Sequence, residues 1–362
     1  MTHAETSTSA ATGDAAPSAA APAPPVRDAP DTGPLPGDHW DNEDDAVHDS
    51  GNEDTDSIAT STASLSSSVL EYRTVLGRTY HSERGNAEYW GANDERQNES
   101  MDLNHHNLTL AIGGKLHHAP LPEKISKAVD IGTGTGLWAI DFADEHPECE
   151  VIGTDLSPIQ PAWVPPNLKF QIDDCTQEWT FEPDSLDFVH MRYLTGSIPD
   201  WNELFRQAYR CIKPGGWVES LEASPYMWSD DGTVTQDSAM GQWGKLFVSC
   251  SEKLGRTFTQ VDDGLHRSSI EDAGFVDIGQ FNLKVPIGTW PKDPKLKEMG
   301  RFGQATLEQD VEGYVSYAAS MQGWTEKQVA VYAARLRREI RNPKIHGYYY
   351  LSLLWGRKPK SV

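Results

Sequence analysis

Residues 129–136 read Val129-Asp130-Ile131-Gly132-Thr133-Gly134-Thr135-Gly136. A short β-branched run ending in three alternate glycines predicts a buried strand, Lys127–Ile131, that turns into a helix over Leu137–His146. Glycines at alternate positions let a backbone pass close to a ligand with no Cβ in the way. The spacing is not the dinucleotide fingerprint, because the third glycine comes one residue early and Leu137 holds the place it would need. No Lys-Ser/Thr pair follows, so the loop is not a nucleotide P-loop either. Asp130, two residues before the first glycine, suits an amino-bearing or cationic ligand better than a pyrophosphate.

Working outward, apolar runs over Glu150–Asp155, Leu168–Ile172 and Leu186–Met191 predict three more strands. A helix over Trp201–Ile212 stops at Lys213-Pro214-Gly215-Gly216, and Trp217–Leu221 makes a fifth strand. Such alternation predicts an α/β fold with a doubly wound, mostly parallel sheet. Further on, Met240, Trp243, Phe247, Cys250 and Leu254 keep helical spacing up to Gly255. A short helix over Ser268–Ala273 precedes a strand over Val276–Val285, and Thr325 with Gln328 forms a capping box for a helix through Ile340. Tyr348–Trp355 reads as the last strand, so residues 293–342 form a helical insertion before it.

The chain has 362 residues with 54 acidic and 31 basic side chains. Residues 1–70 hold 13 acidic groups and one basic group, Arg27. Residues 1–66 are rich in Ala, Pro, Ser and acid and poor in large apolar side chains, which predicts a disordered acidic tail. Residues 67–362 form one domain, with a ligand-binding core over 126–222. The negative charge excludes a basic face for nucleic acid and disfavours an anionic membrane surface. The four cysteines lie far apart, which argues against a disulfide framework or a zinc site, so no metal is expected. No basic start, apolar leader or long apolar span is visible. A soluble, intracellular protein of the cytoplasm or nucleus is the expectation.

Ligands of open α/β sheets lie outside the carboxyl ends of the strands. Asp155 ends the second core strand, where a carboxylate can accept from both hydroxyls of a ribose. Asp173 and Asp174 end the third and can accept from an adenine amino group. Adenine, ribose, an amino acid portion and a positive centre together describe S-adenosylmethionine. This ensemble resembles the class I S-adenosylmethionine-dependent methyltransferases. The resemblance implies that Gly132, Gly134 and Gly136 approach the methionine portion, Asp155 the ribose and Asp174 the adenine.

A second set of segments narrows the likeness. Gly77-Arg78-Thr79-Tyr80-His81, Met101-Asp102-Leu103-Asn104-His105-His106, Gly136-Leu137-Trp138-Ala139-Ile140-Asp141 and Asp155-Leu156-Ser157-Pro158-Ile159-Gln160-Pro161 are among them. Together they resemble the fungal LaeA-like methyltransferases. That resemblance implies a small-molecule acceptor from fungal secondary metabolism. It equally allows a nuclear regulator of that metabolism working through protein partners, for which the acidic tail is the candidate surface.

The catalytic candidates are His190, at the end of the fourth core strand, and Tyr193 beside it. His190 reads either as a group facing the cleft or as a packed histidine. Tyr80 is a candidate to close over the cofactor, with the segment Tyr80–His106 as a cover. Glu222 and Tyr317 are candidates to touch the acceptor. Met299, Phe302, Tyr314, Tyr317 and Met321 of the insertion form an aromatic and apolar set suited to a flat organic molecule. Trp243 and Phe247 read as core.

Overall fold

The computed structural model describes residues 33–41, 71–82 and 89–360. A hairpin of β1 (Arg73–Val75) and β2 (Arg78–Tyr80) leads to α1 (Glu95–Ala111). Next come β3 (Lys127–Ile131), α2 (Leu137–Glu145), β4 (Glu150–Asp155), β5 (Leu168–Ile172), β6 (Leu186–Arg192), α3 (Trp201–Cys211) and β7 (Ile212–Trp228). The second half holds α4 (Ala239–Val248), α5 (Ser251–Leu254), α6 (Leu265–Asp272) and β8 (Val276–Pro286). Then α7 (Pro294–Gln309), α8 (Val311–Met321) and α9 (Glu326–Arg341) precede β9 (Tyr348–Arg357).

The large sheet runs β5-β4-β3-β6-β7-β9-β8. The first five of these strands are parallel, and β9 enters antiparallel between β7 and β8. The strand order reverses between β3 and β6, so the carboxyl edge there is open for a ligand. The predicted doubly wound, mostly parallel sheet is therefore the fold, with the three insertion helices between β8 and β9. Burial explains why β3 tolerates no polar alternation: Ala128, Val129, Asp130 and Ile131 are all buried, as in strands covered on both faces.

Differences from the sequence reading have local causes. The helix expected through Leu254 breaks at Ser249-Cys250 into α4 and α5, and Gly255 closes it in the left-handed region. Strand β6 continues to Arg192, one residue beyond the expected end. The tail expected over 1–66 lies outside the described residues except for 33–41, and that piece is packed rather than loose. Trp40 is 1% exposed, its ring 5.0 Å from Tyr332 and 5.9 Å from Trp324. Leu35 donates its N–H to Gln242, and Gln328 donates to Asp41. A large aromatic with a ready apolar slot on α9 outweighs the polar composition around it.

No helix among the described residues is long and apolar enough to cross a membrane. The basic stretch at Arg335–Arg341 is a tied face: Arg337 is buried against Glu312, and Arg341 pairs with Glu308.

A cover sits over the open edge. Asp94 caps α1, and Arg78 bridges Asp94 and the fully buried Asp310, with contacts of 2.6 and 2.7 Å. Asp310 in turn caps α8. One guanidinium thus fixes the hairpin, α1 and α8 relative to each other.

Candidate functional site

A cavity opens where β3, β4, β5 and β6 end, under α1. Its floor is the glycine loop. Gly132 and Gly134 line it with φ of +68° and +59°. A Cβ on Gly134 would stand 2.4 Å from Met101 Cε, and one on Gly132 would stand 2.5 Å from Leu194 Cδ2. Side chains there would be strained by backbone angle and would crowd the covering residues. Gly136 opens α2 but does not line the cavity.

Asp155 lies on the wall, accepting from Gly134 N (2.8 Å) on Oδ2 and from Ser157 N (3.0 Å) on Oδ1. Each oxygen keeps a lone pair for a further donor. Burial pushes this carboxyl up to about 6, against the backbone hydrogen bonds that favour its charge. Asp173 and Asp174 line the β5 end. Asp174 Oδ1 is held by the N–H and hydroxyl of Thr176.

Arg192 lines the β6 end. Its Nη2 contacts His105 Nδ1 at 3.0 Å, and His105 Nε2 contacts Asp141 at 2.8 Å. His105 is thus committed on both nitrogens and orients the guanidinium. Arg192 makes no ion pair among the described residues, and burial lowers its pKa. Following the sheet order, the edge reads Asp173 and Asp174, then Asp155, then the glycine loop, then Arg192.

The structure separates several predicted site residues from this cavity. His190 is 2% exposed and lies two residues inside β6, not at its end. Its ring stacks on Trp138 at 3.6 Å, and Nδ1 meets Asp130 at 2.7 Å. Burial lowers its pKa to about 4, so it is neutral and donates to Asp130. The other oxygen of Asp130 accepts from Thr133 Oγ1 at 2.6 Å. Asp130 and His190 therefore brace the loop from below, and neither lines the cavity.

Tyr80 is fully buried against Tyr317, with ring centroids 5.5 Å apart, and neither lines the cavity. Within the segment Tyr80–His106 expected as a cover, the residues that line the cavity are not Tyr80 but Tyr89, Trp90 and, among those of α1, Gln97, Met101 and Asn104. Glu222 is also away from the opening. Fully buried on β7, it accepts from the N–H groups of Leu194 and Thr195 and from the Thr195 hydroxyl. It shapes the loop after β6 rather than meeting a ligand. Of the insertion set, Tyr314 reaches the cavity, whereas Met299, Phe302 and Met321 do not.

Tyr193 does stand at the site, with φ of +55°. Its hydroxyl donates to Tyr349 at 3.3 Å, and burial raises its pKa well above the usual value. It keeps its proton and cannot serve as a base at neutral pH. Sequence reasoning missed Trp90, Asn104 and Arg192. A lone arginine one residue past an apolar strand was the readable signal for the last. Among the described residues no cluster of His, Cys, Asp or Glu is placed to hold a metal ion.

A family model described as a methyltransferase domain matches residues 103–261. A methyltransferase of Aspergillus terreus, pytC, is 39% identical over 308 residues, covering 84% of this chain and 93% of that protein. The "Secondary metabolism regulator LAE1" of Cochliobolus heterostrophus is 35% identical, covering 78% and 94%. The "Probable methyltransferase tdiE" of Emericella nidulans is 30% identical, covering 74% and 84%. Identity at this level along most of each chain accounts for the glycine loop, the cover and the strand order together: the chain belongs to the fungal LaeA-like family of S-adenosylmethionine-dependent methyltransferases.

Proposed function

We propose that this cavity holds S-adenosylmethionine and that the chain methylates a small molecule bound beside it. The observation that carries the reading is the order of groups along one sheet edge: carboxylates at β5 and β4, a glycine loop at β3, an unpaired guanidinium at β6. Neighbouring strands lie about 4.8 Å apart, so the four ends span roughly 14 Å. That is room for an extended nucleoside joined to an amino acid. Asp173 and Asp174 suit the adenine amino group, Asp155 the ribose hydroxyls and Arg192 the terminal carboxylate.

When bound, the cofactor would supply an electrophilic methyl group, to be exchanged for a proton of the acceptor that is released to water. The chain's own part is alignment. His105 is committed on both nitrogens, and Tyr193 and Tyr349 hold their protons, so none of these three acts as a strong base. Orientation of this kind supplies roughly 7–11 kcal/mol of a barrier.

Titration calorimetry with S-adenosylhomocysteine tests the assignment. Hydrogen bonds to a charged group contribute about 1.5–3 kcal/mol, so Asp155→Ala should weaken binding about ten- to a hundredfold. Unchanged affinity would remove Asp155 from the ribose position. Radiolabelled cofactor incubated with extract and separated into protein and small-molecule fractions tests the acceptor. Label confined to protein would overturn the small-molecule reading.

A further inference from the structure

A second cavity of about 120 Å³ continues from the first and shares Trp90, Asn104, Tyr193 and Tyr314 with it. Its other walls include four aromatic residues, Trp243 and Phe247 of α4, Phe258, and Tyr349 of β9, together with Met227, Ile287 and Leu307. Trp243 and Phe247, expected as core rather than an acceptor cage, line a chamber. Among the described residues no Asp, Glu, Lys, Arg or His lines it. A carboxylate or phosphate entering it would meet no cation, and an ammonium would meet no anion. An unpaired charge in such surroundings is strongly disfavoured.

Uncharged polar side chains also line it, among them Asn104, Asn107, Thr195, Ser224 and Thr306. Asn107 is 1% exposed and Thr306 is 5% exposed, and both residues line the chamber. Neither Asn107 Oδ1 nor Thr306 Oγ1 has a hydrogen-bond partner among the described residues. The Asn107 amide nitrogen reaches Tyr349 Oη only at 3.4 Å. Buried acceptors are nearly always satisfied, so an orphaned carbonyl on a residue of this uncharged wall is suited to a donor on a ligand.

We propose that this chamber holds the methyl acceptor and selects a neutral, ring-containing, largely apolar molecule whose hydroxyl or N–H group donates to Asn107 Oδ1. The proposal rests on the reading of the first cavity as the cofactor site. It disfavours a lysine side chain of a protein, whose ammonium finds no carboxylate here.

The test uses four probes of one shape: 2-naphthol, naphthalene, 2-naphthoate and 2-naphthylmethylammonium. Their binding to the full chain is measured by equilibrium dialysis with and without saturating S-adenosylhomocysteine. The expected result is that 2-naphthol binds at least tenfold tighter than each of the others. Asn107→Leu should bring 2-naphthol to within about twofold of naphthalene while S-adenosylhomocysteine affinity stays within twofold. Asn107→Asp should turn the preference toward the ammonium probe. Equal binding of a charged probe to the wild-type chain, or an undiminished preference for 2-naphthol in Asn107→Leu, overturns the proposal. Binding of 2-naphthol by a chain that fails to bind S-adenosylhomocysteine supports the chamber's preference and overturns the cofactor reading instead.

Discussion

Replacing Arg192 with methionine removes the one Arg or Lys side chain among the described residues lining the cavity proposed for the cofactor. The guanidinium contacts His105 Nδ1 through Nη2, which leaves other N–H donors for a carboxylate. Truncating one partner of a buried, hydrogen-bonded charge pair costs about 2–5 kcal/mol. Arg192 is only partly buried by surface area, so solvent screening points to the lower part of that range, about 2–3.5 kcal/mol. At about 1.4 kcal/mol per tenfold, S-adenosylmethionine should bind roughly 30- to 300-fold more weakly. The control is decarboxylated S-adenosylmethionine, which lacks the group Arg192 is said to hold. Calorimetry should find its affinity for the variant within about threefold of wild type. If both ligands lose affinity equally, Arg192 acts by holding His105 and the fold, and the carboxylate assignment fails.

Three further outcomes follow from groups described above. Glu219 is fully buried with Oε2 accepting from the N–H groups of His118 and Ala119, while Oε1 has no hydrogen-bond partner among the described residues. Burial raises this carboxyl from 4.5 to about 8, so the native chain holds a proton that the unfolded chain gives up, and stability from this group falls as pH rises through that window. Relative to wild type, Glu219→Gln should gain stability from pH 5 to pH 8 at up to about 1.4 kcal/mol per unit; a urea-midpoint difference that does not vary with pH would refute this. Trp40→Ala should destabilise by about 3–5 kcal/mol, read as a drop in melting temperature, and removing residues 1–41 should reproduce it; an unchanged melting temperature would mean the contact is not populated. Gly134→Ala imposes a left-handed backbone angle on alanine, costing about 1–3 kcal/mol, and should weaken S-adenosylhomocysteine binding even with Met101→Ala alongside to relieve the side-chain contact; full rescue by Met101→Ala would show that crowding alone matters.

The sheet and the carboxylates lining the cavity at β4 and β5 were legible because both follow from local rules. A buried strand, a glycine turn and a helix are set by neighbouring residues, and a carboxylate at a strand end faces the ligand edge. His190 shows how sensitive that rule is to position. With β6 ending at Arg192, the histidine falls beneath Trp138 and Arg192 takes the place at the edge. Tyr317 and Tyr314 illustrate a second limit. They lie three residues apart on α8, and composition alone marks the helix as aromatic. Which of the two meets the cavity depends on how Arg78 and Asp310 dock that helix, a contact 232 residues apart in the chain. Asn107 was unreadable for the same reason, since an orphaned amide exists only once the walls around it are in place.

The partition of the site between two kinds of element bears on how such a protein can be re-engineered. Strand ends and the glycine loop line the cavity proposed for the donor, and their positions are tied to the register of the whole sheet. The chamber beside it is walled by the end of β7 and by α1, α4, α7 and α8, and of these α7 and α8 belong to the insertion outside the parallel strands. Grafting α7 and α8 from a relative should therefore exchange the acceptor without redesign of the donor pocket. Trp90, Asn104, Tyr193 and Tyr314 belong to both cavities. They are the seam at which a chimaera must match, and mismatches there would cost turnover before they cost folding.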